Sequence, residues 1–401
     1  MKIPEINLND LDVFEKGIPH DWFRRLRKEA PVYWHEEPDG PGYWVVTKYE
    51  DLRHVSRNPK IFSSARGGTN IFDLPPDGLE TIRSLLINMD PPQHVKFRRL
   101  VQKGFTPGSV NELEPRIREL CGKLLDQVGQ HDECEFVGDL AAELPMQVIC
   151  ELVGVPQEDR HHLYDVSNRL IGFDDPDFAT SAEDGKIAAA EMYSYAQKLC
   201  AERREKPADD LVTKLINAEV NGQKLTEHEF NCFFLMLVLA GNETTRTATT
   251  HGVNLLARYP EQRQRLLADP SLIKSAVEEM LRFESPLIHF RRTAVEDTEI
   301  RGVKIRSGDK VTIWYVSANR DEEIFTDPDV FDIGRTPNEH LAFGIGEHLC
   351  LGANLARLEL NVLFEELLRR FPSIELIGEQ RRLRSNFINA VKYMPARLRP
   401  S

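Results

Sequence analysis

The stretch LAFGIGEHLCLG, residues 341–352, decides how this chain is read. It ends a glycine-rich run on one cysteine, Cys350, with His348 two positions before it and the apolar-periodic segment ANLARLELNVLFEELLRRF after it. An unassisted thiol has a pKa of ~8.5 and is mostly protonated at neutral pH. A helix N-terminus or a metal lowers that value. The periodic segment from Leu351 onward offers such an N-terminus, whose first N–H groups lack intrahelical partners. Gly344, Gly346 and Gly352 let the backbone turn sharply and let a flat group approach without side-chain obstruction. One thiolate offered by a glycine-rich turn is what axial ligation of haem iron requires, the sulfur pushing electron density onto iron and favouring O–O cleavage.

The other cysteines, Cys121, Cys134, Cys150, Cys200 and Cys232, are scattered and read as small buried hydrophobes. With no C-x-x-C and no dense framework they suit a reducing compartment and exclude a structural zinc site or a plant-type iron–sulfur cluster. The 401 residues are 41% hydrophobic and 29% charged, a soluble globular profile, and the net charge of −13 argues against a nucleic-acid partner. The longest strongly apolar run, FFLMLVLAG at Phe233–Gly241, is far short of the ~20 residues of a membrane span and reads as a buried helix. The start, MKIPEINLNDLDVF, lacks the pattern of a secretory signal. The expected location is the cytoplasm.

The segment PVYWHEEPDGPGYWVVTKYEDL reads as two strands around a Pro/Gly turn, then a helix. Residues 63–90 form a long irregular stretch of the kind used as a lid or binding loop. Helical periodicity covers about 92–283 and 350–371, and strand-rich parts fall at about 31–47, 298–316 and 373–397. The expected fold is predominantly α with a smaller β-rich part, as a single domain over 1–401, because strands from both ends would share sheets.

Further along the chain an acid and hydroxyls follow the apolar run at once, in Ala240-Gly241-Asn242-Glu243-Thr244-Thr245. Threonines there can bond back to a preceding carbonyl while Gly241 permits a kink. Glu279 and Arg282 lie three apart, on one helix face, where their charges can pair. In MDPPQHVKFRRLVQKGFTP, His94 and Arg98 sit one helical turn apart, and Arg292 stands in HFRRTAVED.

Phe343–Gly352 is similar to the haem-binding loop of the cytochrome P-450 monooxygenases, matching F-x-x-G-x-H/R-x-C-x-G at every defined position. The resemblance covers nearly the whole chain. It implies haem b, ligated by Cys350 and sandwiched between a long central helix and the helix of the cysteine loop. It assigns Phe343, Gly344, Gly346, Gly352, Ala240 and Gly241 to the haem environment, and His94, Arg98, Arg292 and His348 to its propionates. Glu279, Arg282 and, in DPDVFDIGR, Arg335 resemble a structural Glu–Arg–Arg cluster. AGNETT resembles the oxygen-activation motif, in which a local helix opening seats dioxygen. Thr244 would hydrogen-bond the reacting oxygen and Glu243, where many members carry Asp, would relay protons, with Thr245 structural.

No flavin or nicotinamide fingerprint is present, so the resemblance implies O2, a separate ferredoxin and its NAD(P)H-dependent reductase, and a monomer without a membrane anchor. An acidic ferredoxin would dock near Lys96, Arg99 and Lys103. Candidate pocket residues for a small hydrophobic substrate are Asn70, Ile71, Phe72, Leu239, Leu287, Ile288, His289 and Ile388, with His289 either meeting a polar substrate end or satisfied internally. IGFDDPDFATSAED, INAEVNGQKLTEHEF, LAGNETTRTATTHGV and GDKVTIWYVSANRDE look like bacterial enzymes that hydroxylate terminal carbons of methyl-branched fatty acids, isoprenoids and sterol side chains. Rival readings are an oxidase of another terpenoid or a macrolide, a peroxide-driven peroxygenase, which has less need of Glu243 and Thr244, a haem-based sensor, and a helical binding protein without haem.

Overall fold

In the computed structural model the described residues are 6–38, 40–172, 175–178, 181–220 and 222–400. Asp39, in the expected Pro/Gly turn, and Phe173, Asp174, Ala179 and Thr180, in IGFDDPDFATSAED, lie outside them, as does the start of the chain to Glu5. The chain forms two compact units. One comprises Met1–Lys96, Glu278–Cys350 and Arg384–Asn389; the other comprises Phe97–Val277, Leu351–Leu383 and Ala390–Ser401.

The first unit is built on a sheet of strands Val32–His35, Tyr43–Val46, Lys310–Trp314, His289–Ala294 and Phe62–Ser63, hydrogen-bonded in that order. Tyr33 pairs antiparallel with Val45, Val311 parallel with Trp44, and Ile313 antiparallel with Phe290. Successive side chains enter opposite faces, as the two-residue period of a strand requires. Val46, Val311 and Ile313 join a core with Leu52, Val55 and Phe62, while Val45 and Trp314 join a second with Phe14, Phe23 and Tyr43. Strand Lys310–Trp314 is buried along its whole length, as a central strand covered on both faces must be.

The strands and the stretch 63–90 differ from the sequence reading, and the short strand Phe62–Ser63 is one of the unexpected ones. Strand His289–Ala294 falls outside the expected strand blocks, because its consecutive arginines disguise a buried strand. The stretch 63–90 is not wholly irregular: it holds a helix at Pro76–Ile82 and a 3-10 turn at Leu86–Asn88. Its tip is anchored. Asp73 takes Arg291 Nη1 at 2.7 Å and Lys310 Nζ at 2.8 Å, and Arg291 also donates to the Ile71 carbonyl at 3.2 Å. Those two cations hold the Asp73 carboxyl below the usual range against the opposing effect of burial.

The second unit is mainly helical, with helices at Glu114–Val128, Glu143–Val153, Arg160–Ile171, Ala182–Glu205, Glu227–Arg258 and Ala353–Arg370. The long helix Glu227–Arg258 opens on a capping box: Glu229 N–H donates to Thr226 Oγ1 at 3.2 Å, and Thr226 N–H to Glu229 Oε2 at 2.8 Å. It packs against Glu143–Val153, Ala182–Glu205 and Ala353–Arg370, which buries most of FFLMLVLAG. Among the described residues no helix is long and apolar enough to cross a membrane.

Candidate active site

The sulfur loop lies in the first unit up to Cys350. Gly344 N–H donates to the Leu341 carbonyl at 2.8 Å, Leu349 N–H to Gly346 at 3.1 Å and Cys350 N–H to Phe343 at 2.8 Å, closing a tight double turn. Gly344 and Gly346 have φ of 70° and 78°, a region that penalises any Cβ. At Gly346 a Cβ would also come within 2.7 Å of the Ser56 carbonyl oxygen, so glycine is required twice over. The turn leaves Cys350 exposed, beside Leu349 at 45% exposure. The helix that follows starts at Ala353 with Gly352 as its N-cap, two residues later than the periodicity suggests.

Cationic and polar side chains collect in the same unit. The rings of His94 and His348 lie 4.3 Å apart, and His348 Nε2 meets Ser64 Oγ at 3.2 Å. Asp90 fixes that corner by accepting from Ser63 Oγ and, at 2.8 Å, from Ser64 N–H. Arg292 is buried on strand His289–Ala294, and among the described residues its guanidinium donates only to the neighbouring Arg291 carbonyl, at 2.8 Å. Among the described residues no carboxylate lies within ion-pair distance of it, and burial pulls its pKa down. Arg98 follows His94 by one turn on helix Gln93–Val101, is partly exposed and falls in the second unit, which begins at Phe97.

In the second unit, the long helix is buried almost throughout its middle, except along one stripe. Ala240 is exposed, and Met236, Leu239, Gly241 and Thr244 are partly exposed. Met236, Ala240 and Thr244 recur every four residues and so share one face. Thr244 Oγ1 donates to the Ala240 carbonyl at 2.9 Å. The helix runs unbroken through this point, so the local opening expected at AGNETT is absent. Gly241 has a different reason to be glycine: a Cβ would press to 3.0 Å on Ile149 of helix Glu143–Val153. Just off the stripe, Glu243 is buried and ion-paired through Oε2 to Arg246 Nη2. Thr245 is buried too.

Glu279 occupies the centre of a dense ionic knot in the first unit. Arg282 grips it with two bonds, Nε to Oε2 at 2.7 Å and Nη2 to Oε1 at 2.8 Å, and Arg335 Nε reaches both oxygens at 3.1 Å. Asp332 N–H and Asn338 Nδ2 add bonds of 3.0 and 3.1 Å. Arg282 also donates to the carbonyls of Asn319 and Pro328, both at 2.9 Å, tying down the segment that leads into the sulfur loop.

The family model for cytochrome P450 matches residues 5–388. The chain belongs to the cytochrome P450 family. It is 41% identical over 401 aligned residues to a steroid C26-monooxygenase of Rhodococcus jostii, covering 97% of this chain and 84% of that one. It is 42% identical over 406 to a methyl-branched lipid omega-hydroxylase of Mycobacterium bovis, covering 98% and 94%. Among solved structures, a Mycobacterium marinum cytochrome P450 in complex with pseudoionone superposes with a TM-score of 0.90 at 36% identity, covering 96% of this chain and 97% of that one. This P450 is accordingly a monooxygenase, and its cofactor is haem b held by a thiolate.

The residues present fit that cofactor. A buried guanidinium with no carboxylate beside it, as at Arg292, carries a large desolvation cost that an anionic group such as a propionate would offset. The exposed Cys350 thiol, on a turn with glycines of positive φ at 344 and 346, suits a sulfur ligand to haem iron.

The pocket residues expected from the sequence divide. Ile71 and Ile288 belong to the core around Phe14, Phe23 and Trp314 and are interior packing, not exposed lining. His289 is also interior, its ring 4.8 Å from that of Trp314 and its Nδ1 bonded at 2.8 Å to the Asn386 carbonyl. Burial lowers its pKa to about 4, so it is a neutral histidine, bonded internally through Nδ1 while Nε2 has no hydrogen-bond partner among the described residues. Ile388 is buried and bridges Leu287. Leu287, Leu239 and Asn70 are partly exposed and Phe72 is exposed. The sequence reading missed Arg246, which pairs with Glu243 on the same helix, and Tyr164 and Asn168, which accept from Arg246 across from helix Arg160–Ile171; the one signal was the E-x-x-R spacing of Glu243 and Arg246.

Proposed function

We propose that this P450 hydroxylates a terminal methyl carbon of a branched lipid, isoprenoid or sterol side chain. The names of its relatives, a steroid C26-monooxygenase and a methyl-branched lipid omega-hydroxylase, support that substrate class. When bound, haem supplies dioxygen activation, so that substrate C–H, O2, two electrons and two protons yield the alcohol and water. Cys350 Sγ is the iron ligand, and His94, Arg98, Arg292 and His348 hold the propionates by charge-assisted bonds. Phe343, Gly344, Gly346 and Gly352 shape the ligand loop, while Ala240 and Gly241 keep the helix face low for the macrocycle. Glu243 moves protons inward through its carboxylate. Thr244 passes them on from its Oγ1 by releasing the Ala240 carbonyl. Asn70, Phe72, Leu239 and Leu287 contact substrate.

Electrons come from a separate ferredoxin and NAD(P)H-dependent reductase, the ferredoxin docking at Lys96, Arg99 and Lys103, of which Arg99 and Lys103 are exposed. The protein acts in the cytoplasm as a monomer and as a single catalytic domain.

The observation that carries this reading is the exposed Cys350 thiol on a turn whose glycines have positive φ. Cys350→Ser should abolish the thiolate signature of the reduced carbon monoxide complex. Branched lipids, terpenoids and sterols should be screened for spin-state shifts, then turned over with NADPH and surrogate redox partners. Products hydroxylated at a terminal carbon are expected by mass spectrometry; turnover with peroxide but none with electron donors defeats the proposal.

A further inference from the structure

We propose that Tyr164 and Asn168, on helix Arg160–Ile171, restrain Arg246 so that it holds one oxygen of Glu243 and leaves the other open. Arg246 is thereby a positioning residue for proton delivery. The inference rests on the reading of Glu243 as the relay acid.

The side chains of Glu243 and Arg246 are 2% and 4% exposed, so their pairing is shielded from solvent. Left to itself, a guanidinium takes a carboxylate with two parallel N–H bonds, the geometry for which its fork is suited. Here it makes one contact: Nη2 reaches Glu243 Oε2, and Nε has no hydrogen-bond partner. The reason is on the other arm. Arg246 Nη1 donates to Tyr164 Oη at 3.0 Å and to Asn168 Oδ1 at 2.8 Å, and the guanidinium lies 5.6 Å from the Tyr164 ring centroid.

Among the described residues the second carboxylate oxygen, Oε1, meets only Thr247 Oγ1, at 3.4 Å. Of the two oxygens it is the one from which a proton can be taken up and passed on without breaking the ion pair. Burial would disfavour the charged form of Arg246, but Glu243 and Tyr164 outweigh it and its pKa is raised, so the clamp stays cationic. Anchors on another helix make the openness of Oε1 depend on where that helix stands.

A lysine has a single ammonium and cannot form the two-bond fork. This gives a test that separates positioning from simple packing. In the haem-loaded enzyme, Tyr164→Phe with Asn168→Ala should free Arg246 to take both Glu243 oxygens. Product formed per NADPH should then fall by about 10-fold, a part of the ~10²–10⁴-fold worth of a positioned acid–base group, because the relay acid itself is kept. Peroxide release and the solvent isotope effect should rise together. Adding Arg246→Lys to that pair should restore coupling. A crystal structure of the double variant should show Arg246 bonded to both oxygens.

Coupling unchanged in the double variant, or not restored by lysine, overturns the inference. Glu243→Gln serves as the control on the underlying reading. If that variant stays coupled, the relay role of Glu243 itself is wrong; if it uncouples while the double variant does not, only the role of Tyr164 and Asn168 is wrong.

Discussion

Two glutamate–arginine pairs stand at the same spacing on helices of this P450, and both are buried. Glu279 and Arg282 share helix Ile273–Phe283, and Glu243 and Arg246 share helix Glu227–Arg258. Their surroundings differ. Glu279 receives Arg282 through two bonds, then Arg335, Asp332 N–H and Asn338, and Arg282 spends its other donors on backbone carbonyls. Glu243 receives Arg246 through one bond, and Arg246 spends its other arm on side chains. A carboxylate held by many donors is fixed in place, while one held by a single cation keeps room to exchange protons. The same two residue types thus serve architecture in one place and chemistry in the other.

The largest effect expected of that difference is on folding. Arg282→Ala leaves the Glu279 charge buried with part of its shell gone, and should cost ~3–5 kcal/mol. Chemical unfolding followed by circular dichroism measures this, and a loss below about 1 kcal/mol would mean the knot adds little to stability.

The comparison is sharper with amide variants, which keep shape and remove charge. Glu279→Gln replaces an oxygen acceptor by an NH2 that faces donors, so several buried N–H groups lose their partner. Glu243→Gln can still accept from Arg246 while Tyr164 and Asn168 keep theirs. The first should be less stable than the second by ~2 kcal/mol, the cost of leaving buried charged donors unsatisfied. Equal losses would erase the distinction between a structural pair and a working one.

The sequence discloses these two pairs unequally. The cysteine loop was legible because its chemistry is local: glycines, histidine and sulfur lie within a few residues, and the turn closes on itself. The long helix was legible from its apolar run, and Glu279–Arg282 from helical spacing. Tyr164 and Asn168 were not, since they reach Arg246 across 82 and 78 residues of chain and carry no motif. Strand His289–Ala294 was hidden by arginines that look solvated until Asp73 and a carbonyl are placed beside Arg291. Ile71 and Ile288 read as pocket residues because apolar residues near a site cannot be sorted from sequence into those that line it and those that pack beneath it.

Arg335 tests a finer gradation within the knot. It meets Glu279 but also donates to the carbonyls of Thr326, Asp327 and Val330 at 2.7, 3.1 and 2.9 Å. Arg335→Ala leaves the two-bond pair with Arg282 intact, so ~1.5–3 kcal/mol is expected, the range for hydrogen bonds to a charged group. A loss as large as that of Arg282→Ala would show the pair cannot stand without its third member.

A third buried glutamate completes the series, with no cation paired to it among the described residues. Glu359 lies on helix Ala353–Arg370, its Oε2 has no hydrogen-bond partner, and burial raises its pKa to about 8. It is therefore a neutral acid in the folded protein at pH 7, where the other two are ion-paired. The sign of its effect follows from proton counting. Between the ordinary value of 4.5 and about 8, the folded state keeps a proton that the unfolded state has released. Stability from this group is thus full below that window and falls as pH rises through it, by at most about 1.4 kcal/mol for each pH unit. Glu359→Gln removes the titration while keeping the shape, so its stability relative to the parent should climb steadily from pH 5 to pH 8. A constant difference across that range would mean that Glu359 is charged in the fold and that a cation or water compensates it. Isolation of this carboxyl, like the single bond of Glu243 and the crowding of Glu279, would then have to be read again from the donors each one meets.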